Sequence, residues 1–86
     1  MDYELVMPRR VVEWMESLPR SLRRQIDRRF DELERFPHNL SLGRTISASG
    51  RPLEVNICAG HEIYYWIDFA ERQVKIVAIR KVDRRR

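Results

Sequence analysis

Cys58 is the only cysteine in the sequence, which excludes an internal disulfide and a thiolate zinc cluster. His38 and His61 are the only histidines, and they do not have the i, i+4 spacing of a helical metal site. No metal or other cofactor is expected. No stretch approaches the roughly 20 apolar residues of a membrane span, and the first residues lack the apolar segment of a signal peptide. Repeats are absent, and the only low-complexity segment is the terminal RRR. These absences predict a cytoplasmic protein of bacterial type, with a reduced thiol and no membrane partner.

What remains is a small, basic globular chain. Its 86 residues are 43% hydrophobic and 35% charged, too apolar for a disordered segment. A chain of this length is expected to form one domain over 1–86, burying only about 60% of its unfolded surface. The net charge of +4 and a pI near 9.8 favour an anionic partner: nucleic acid, an acidic protein or a membrane surface.

Tyr3, Leu5 and Met7 alternate with Glu4 and Val6, as in a short strand. Pro8 opens a helix carrying Val11, Trp14, Met15 and Leu18 on one side. After Pro19, Leu22, Ile26, Phe30, Leu33 and Phe36 step by 4, 4, 3 and 3, which predicts a second amphipathic helix ended by Pro37. Residues 38–50 read as a loop with a brief strand at 44–47. Three strands then follow. Leu53, Val55 and Ile57 alternate with Glu54, Asn56 and Cys58; Ile63, Tyr65 and Ile67 with Glu62, Tyr64 and Trp66; Val74, Ile76 and Ala78 with Lys75, Val77 and Ile79. The expected fold is a two-layer α+β domain, with an N-terminal strand and a helix hairpin packed on a mainly antiparallel four-stranded sheet.

Several residues stand out chemically. His61 flanks a hairpin turn, where it is either a proton shuttle or a solvent-exposed turn residue. Tyr65 shares its side with Ile63 and Ile67 and belongs to the core. Tyr64 and Trp66 are expected on the sheet face away from the helices, beside Glu54, Asn56 and Glu62. There they can stack RNA bases or lie under a partner segment. Arg80 and Lys81 end the last strand at a sheet edge suited to phosphate oxygens, with Arg84, Arg85 and Arg86 beyond. Arg44 and Arg51 are further phosphate-contact candidates. The arginines of the second helix fit a solvated face.

The order of these pieces resembles the RelE/ParE superfamily of bacterial toxin–antitoxin systems. The resemblance rests on the first strand closed by MPR, then LPRSLRRQI, FDELERFP, SGRPLEVNICAG, GHEIYYWID in the place of the family's hairpin, and VKIVAIRK. It implies a toxin that enters the ribosome and cuts messenger RNA by transferring a phosphoryl group to the neighbouring ribose 2′-oxygen. That chemistry needs a proton acceptor for the 2′-hydroxyl, cations for the crowded phosphate and a donor to the leaving 5′-oxygen.

The family's two middle-strand lysines would fall at Glu54 and Asn56, and its hairpin arginine at Glu62. Its C-terminal arginine would fall at Arg84, or at Arg80 or Lys81. No tyrosine stands among residues 82–86. The resemblance thus implies a degenerate basic site with Arg84, Arg80, Lys81 and His61 as catalytic candidates, and Arg44, Arg51, Tyr64, Trp66 and Arg85 as RNA contacts. The implied partners are a cognate antitoxin and the ribosome with its mRNA, with operator DNA reached only through the antitoxin. Two alternatives stay open: a ParE-like inhibitor of DNA gyrase, and an inactive relative that only binds an antitoxin or nucleic acid.

Overall fold

The computed structural model describes residues 2–82. A short strand β1 (Glu4–Val6) leads into helices α1 (Arg9–Glu16) and α2 (Arg20–Arg35). Four strands follow: β2 (Gly43–Ile46), β3 (Pro52–Cys58), β4 (His61–Asp68) and β5 (Gln73–Lys81). The sheet order is β1-β5-β4-β3-β2. β1 is parallel to β5, and the remaining neighbours are antiparallel. The parallel pair follows from connectivity, since the chain returns to the sheet only after both helices. The α+β class is as expected, but the sheet has five strands. The brief strand in the 38–50 loop is real: Gly43–Ile46 pairs with β3 along its full length.

Each helix starts behind a proline, and both prolines are extended (Pro8 φ −72, ψ 159; Pro19 φ −57, ψ 148). Their carbonyls accept the first helical N–H groups, from Val11 and Val12 in α1 and from Arg23 in α2. The apolar stripe of α2 packs Ile26, Phe30 and Leu33 against Val11 and Met15 of α1 and against Ile63, Tyr65, Val74 and Ile76 of the sheet. Phe36, the last member of the sequence stripe, falls just past the helix and is 55% exposed.

Tyr65 is fully buried, and its hydroxyl donates to the Pro37 carbonyl at 2.7 Å. Burial raises its pKa to about 12, so folding favours the protonated phenol. That contribution is complete below pH 10, the ordinary tyrosine value, and is lost as pH rises from 10 to 12. Urea titrations of the wild type and Tyr65→Phe should therefore converge by about 1 kcal/mol between pH 8 and 11. An unchanged gap would show that Tyr65 does not titrate with unfolding.

Two features of the sheet differ from the sequence pattern. In β3, Asn56 is opposite Ile63 and Glu54 is opposite Tyr65, so these polar residues share the helix-facing side with the core. Leu53, Val55 and Ile57 face the other way. The inversion holds because Asn56, only 2% exposed, is fully engaged. Its Oδ1 accepts from Arg29 at 2.7 Å and its Nδ2 donates to the Leu40 carbonyl at 2.7 Å.

In β5, Tyr64 is opposite Ala78 but Tyr65 is opposite Ile76. Val77 is the extra residue of a β-bulge, and its carbonyl accepts from the Arg10 guanidinium of α1 at 2.8 Å. Beyond the bulge the two sides of the strand exchange. Ile79, not Ala78, joins Ile63 over the core.

Candidate functional site

The bulge decides where the cations of β5 point. Arg80 is opposite Glu62, and Lys81 is opposite His61. Adjacent strand residues face opposite sides, so Arg80 joins Glu62 and Tyr64 on the sheet face that carries no helix. Lys81 and His61 lie on the helix side. There the His61 ring meets the Trp14 edge at 5.3 Å, and its Nδ1 lies 2.9 Å from the Ala59 carbonyl. The four catalytic candidates are therefore not gathered. Arg80 stands apart from Lys81 and His61, and Arg84 lies outside the described residues, as do Arg85 and Arg86.

On the open face, the Tyr64 hydroxyl donates to Glu62 Oε1 at 2.6 Å. The Arg80 guanidinium carbon lies 5.9 Å from the centre of the Tyr64 ring. The bond to Glu62, reinforced by partial burial, raises the Tyr64 pKa, while Arg80 pulls it the other way. The phenol therefore remains a proton donor at neutral pH. A groove of about 260 Å3 is lined by Tyr64 and Arg80 together with Thr45, Ala48, Leu53, Val77 and Ala78.

Farther along the same face, Arg51 lies 3.9 Å over the Trp66 ring, and the Lys75 ammonium lies 4.9 Å from it. Lys75 also pairs with Asp68 at 3.1 Å. A backbone bond from Glu71 and the bond from Lys75 hold the Asp68 carboxyl below its ordinary range. Arg44, at the edge strand, pairs with Glu54 at 3.1 Å, and Glu54 also accepts from Ser41 at 2.6 Å.

The neighbours expected for Tyr64 and Trp66 need correction. Glu54 and Asn56 are turned to the helix side, and Val55 is the residue opposite Tyr64. Of the three polar residues expected beside Tyr64 and Trp66, only Glu62 lies on the open face, where it accepts from the Tyr64 hydroxyl and is opposite Arg80. The sequence already put Glu62 on the face of Tyr64 and Trp66, at the place of the family's hairpin arginine, but gave it no role; the i, i+2 spacing in a strand is what lets it accept from Tyr64.

No helix among the described residues is long and apolar enough to cross a membrane. No family model matches the chain, and no curated protein matches its sequence. At the level of structure, however, the fold is that of the RelE toxins. The chain superposes on one from the archaeal RelE–RelB complex of Pyrococcus horikoshii with a TM-score of 0.79, at 19% identity, covering 99% of this chain and 100% of that one. The isolated RelE toxin of E. coli gives 0.67 at 18% identity, over 96% and 87% of the two chains. A double arginine-to-alanine mutant of E. coli RelE in the free state gives 0.64 at 17%, over 94% and 84%.

Proposed function

We propose that this protein is the toxin of a type II toxin–antitoxin pair and inhibits translation by cutting messenger RNA on the ribosome. The observation that carries this reading is the Glu62–Tyr64–Arg80 trio on the helix-free face of a RelE fold, with Tyr64 and Arg80 lining a groove there. Arg80 supplies the cation for the crowded phosphate. Glu62 takes the proton as the 2′-oxygen attacks phosphorus, and Tyr64 protonates the departing 5′-oxygen as the P–O bond breaks. The Glu62 proton then returns to the Tyr64 oxygen across their hydrogen bond, which restores both groups. The apolar residues Leu53, Val55, Ile57 and Ala78 on the same face suit an antitoxin segment that would shield the trio.

A second reading is favoured by one observation. Glu62 stands where the family's hairpin arginine is expected and is already bonded, as in a module that binds an antitoxin or nucleic acid without catalysis. Induction of the chain in bacterial cells separates these outcomes, with amino-acid and thymidine incorporation followed together and mRNA 5′ ends mapped. Prompt loss of translation with new cuts inside reading frames is expected. Loss of DNA synthesis first would point to gyrase, and normal rates with folded protein present would leave only the binding module.

A further inference from the structure

A second cavity of about 270 Å3, which shares no lining residue with the groove at Arg80, is lined by His38, Arg44, Arg51, Glu54, Trp66 and Phe69 among others. Its aromatic wall is assembled from distant parts of the sequence. His38, just past α2, stacks on Phe69 of the β4–β5 turn at 5.4 Å with an interplanar angle of 18°. Phe69 is nevertheless 64% exposed, so much of its surface stays open. Arg51 and its Trp66 platform form another part of the lining. The Arg44 side chain is 73% exposed despite its pairing with Glu54.

We propose that this cavity seats one nucleotide of a single-stranded RNA. Planar rings and a guanidinium plane are the surfaces on which unpaired bases stack, and two arginines beside them match a phosphate. The cavity lies just under the usual range of roughly 300–1,000 Å3 for small-molecule pockets, a size that suits one nucleotide. Glu54 adds selectivity. A carboxylate has about four acceptor sites, and Ser41 and Arg44 take two of them, so Glu54 can accept from the exocyclic amino group of cytosine but finds no such donor on uracil. An acidic peptide would use the arginines but leave the rings without a role. The inference rests on the RNA-directed reading above only in the choice of ligand. The site itself needs neither the ribosome nor Arg80.

The test is fluorescence anisotropy of labelled hexacytidylate and hexauridylate with the full chain. Hexacytidylate should bind more tightly. Phe69→Ala should weaken binding roughly five- to 150-fold, the range for loss of one base–aromatic stack, whereas Phe69→Trp keeps a ring and should retain it. Arg44→Gln should reduce the slope of log affinity against log salt by roughly 0.7. Circular dichroism confirms that each variant is folded. The proposal is overturned if Phe69→Ala binds as the wild type does, or if inorganic tripolyphosphate displaces the labelled RNA as readily as unlabelled hexacytidylate. The same proteins in a cell-free translation reaction keep the two readings apart. Binding through Phe69 with no arrest of translation retains this site and sinks the toxin, and arrest with Phe69-independent binding does the reverse.

Discussion

Arg80→Gln is expected to slow mRNA cleavage on programmed ribosomes by roughly 10²–10³-fold, the cost of removing one preorganised group that stabilises developing charge. The bulge at Val77 puts this guanidinium opposite Glu62 and close to Tyr64, on the face that carries the groove. Arg80→Lys keeps the charge but not the planar two-pronged donor, so its loss should be smaller. Glu62→Gln removes the proton acceptor and should cost roughly 10²–10⁴-fold. Because the two groups act on one transition state, the double variant should be little slower than the worse single one. Single-turnover cleavage measures all four. Wild-type rates for Arg80→Gln would remove Arg80 from the mechanism.

The largest expected loss of stability is at Asn56→Ala, about 3 kcal/mol. The substitution strips the Leu40 carbonyl of its donor and the Arg29 guanidinium of one acceptor at a buried position. A charge-assisted bond contributes roughly 1.5–3 kcal/mol and an unsatisfied buried group costs about 1–3. For a domain of this size that corresponds to a fall in Tm of roughly 12–24 °C. The total stability expected for such a chain is only about 4–13 kcal/mol, so one amide carries a substantial share. Arg29 retains its bonds to the Ile57 carbonyl and to Glu32, which limits the damage. A thermal melt within about 4 °C of the wild type, less than the effect of 1 kcal/mol, would show that the amide is replaceable by water.

The helices were legible because α2 has to bury a continuous stripe, and proline marks both its ends. Burial of Tyr65 was legible for the same reason, since its strand neighbours at i−2 and i+2 are both isoleucine. β3 was misread because apolar residues were assumed to point inward. Leu53, Val55 and Ile57 look like a core edge until Asn56 is seen to be satisfied by α2 and by the loop after it. Nothing local in the sequence reports a hydrogen bond to Arg29. Strand β2 was only faintly visible. All four of its residues are exposed, so it depends on backbone pairing instead of a hydrophobic pattern. The His38–Phe69 stack joins residues 31 positions apart, beyond the reach of any periodicity. In β5, apolar residues occupy both sides from Ile76 to Ile79, which concealed the point where the alternation slips.

That slip has a consequence for how the chain can vary. Two neighbouring cations, Arg80 and Lys81, are displayed on opposite surfaces, and the bulge between Ile76 and Ala78 decides which goes where. Deleting Val77 would restore one-to-one pairing and leave Arg80 opposite Glu62, whereas a strand that kept every residue and alternated without the bulge would exchange the two cations. A sequence comparison that slides by one place across this strand would name the wrong cation. At this position the face a side chain takes is recorded in how the strand is paired as much as in its letters.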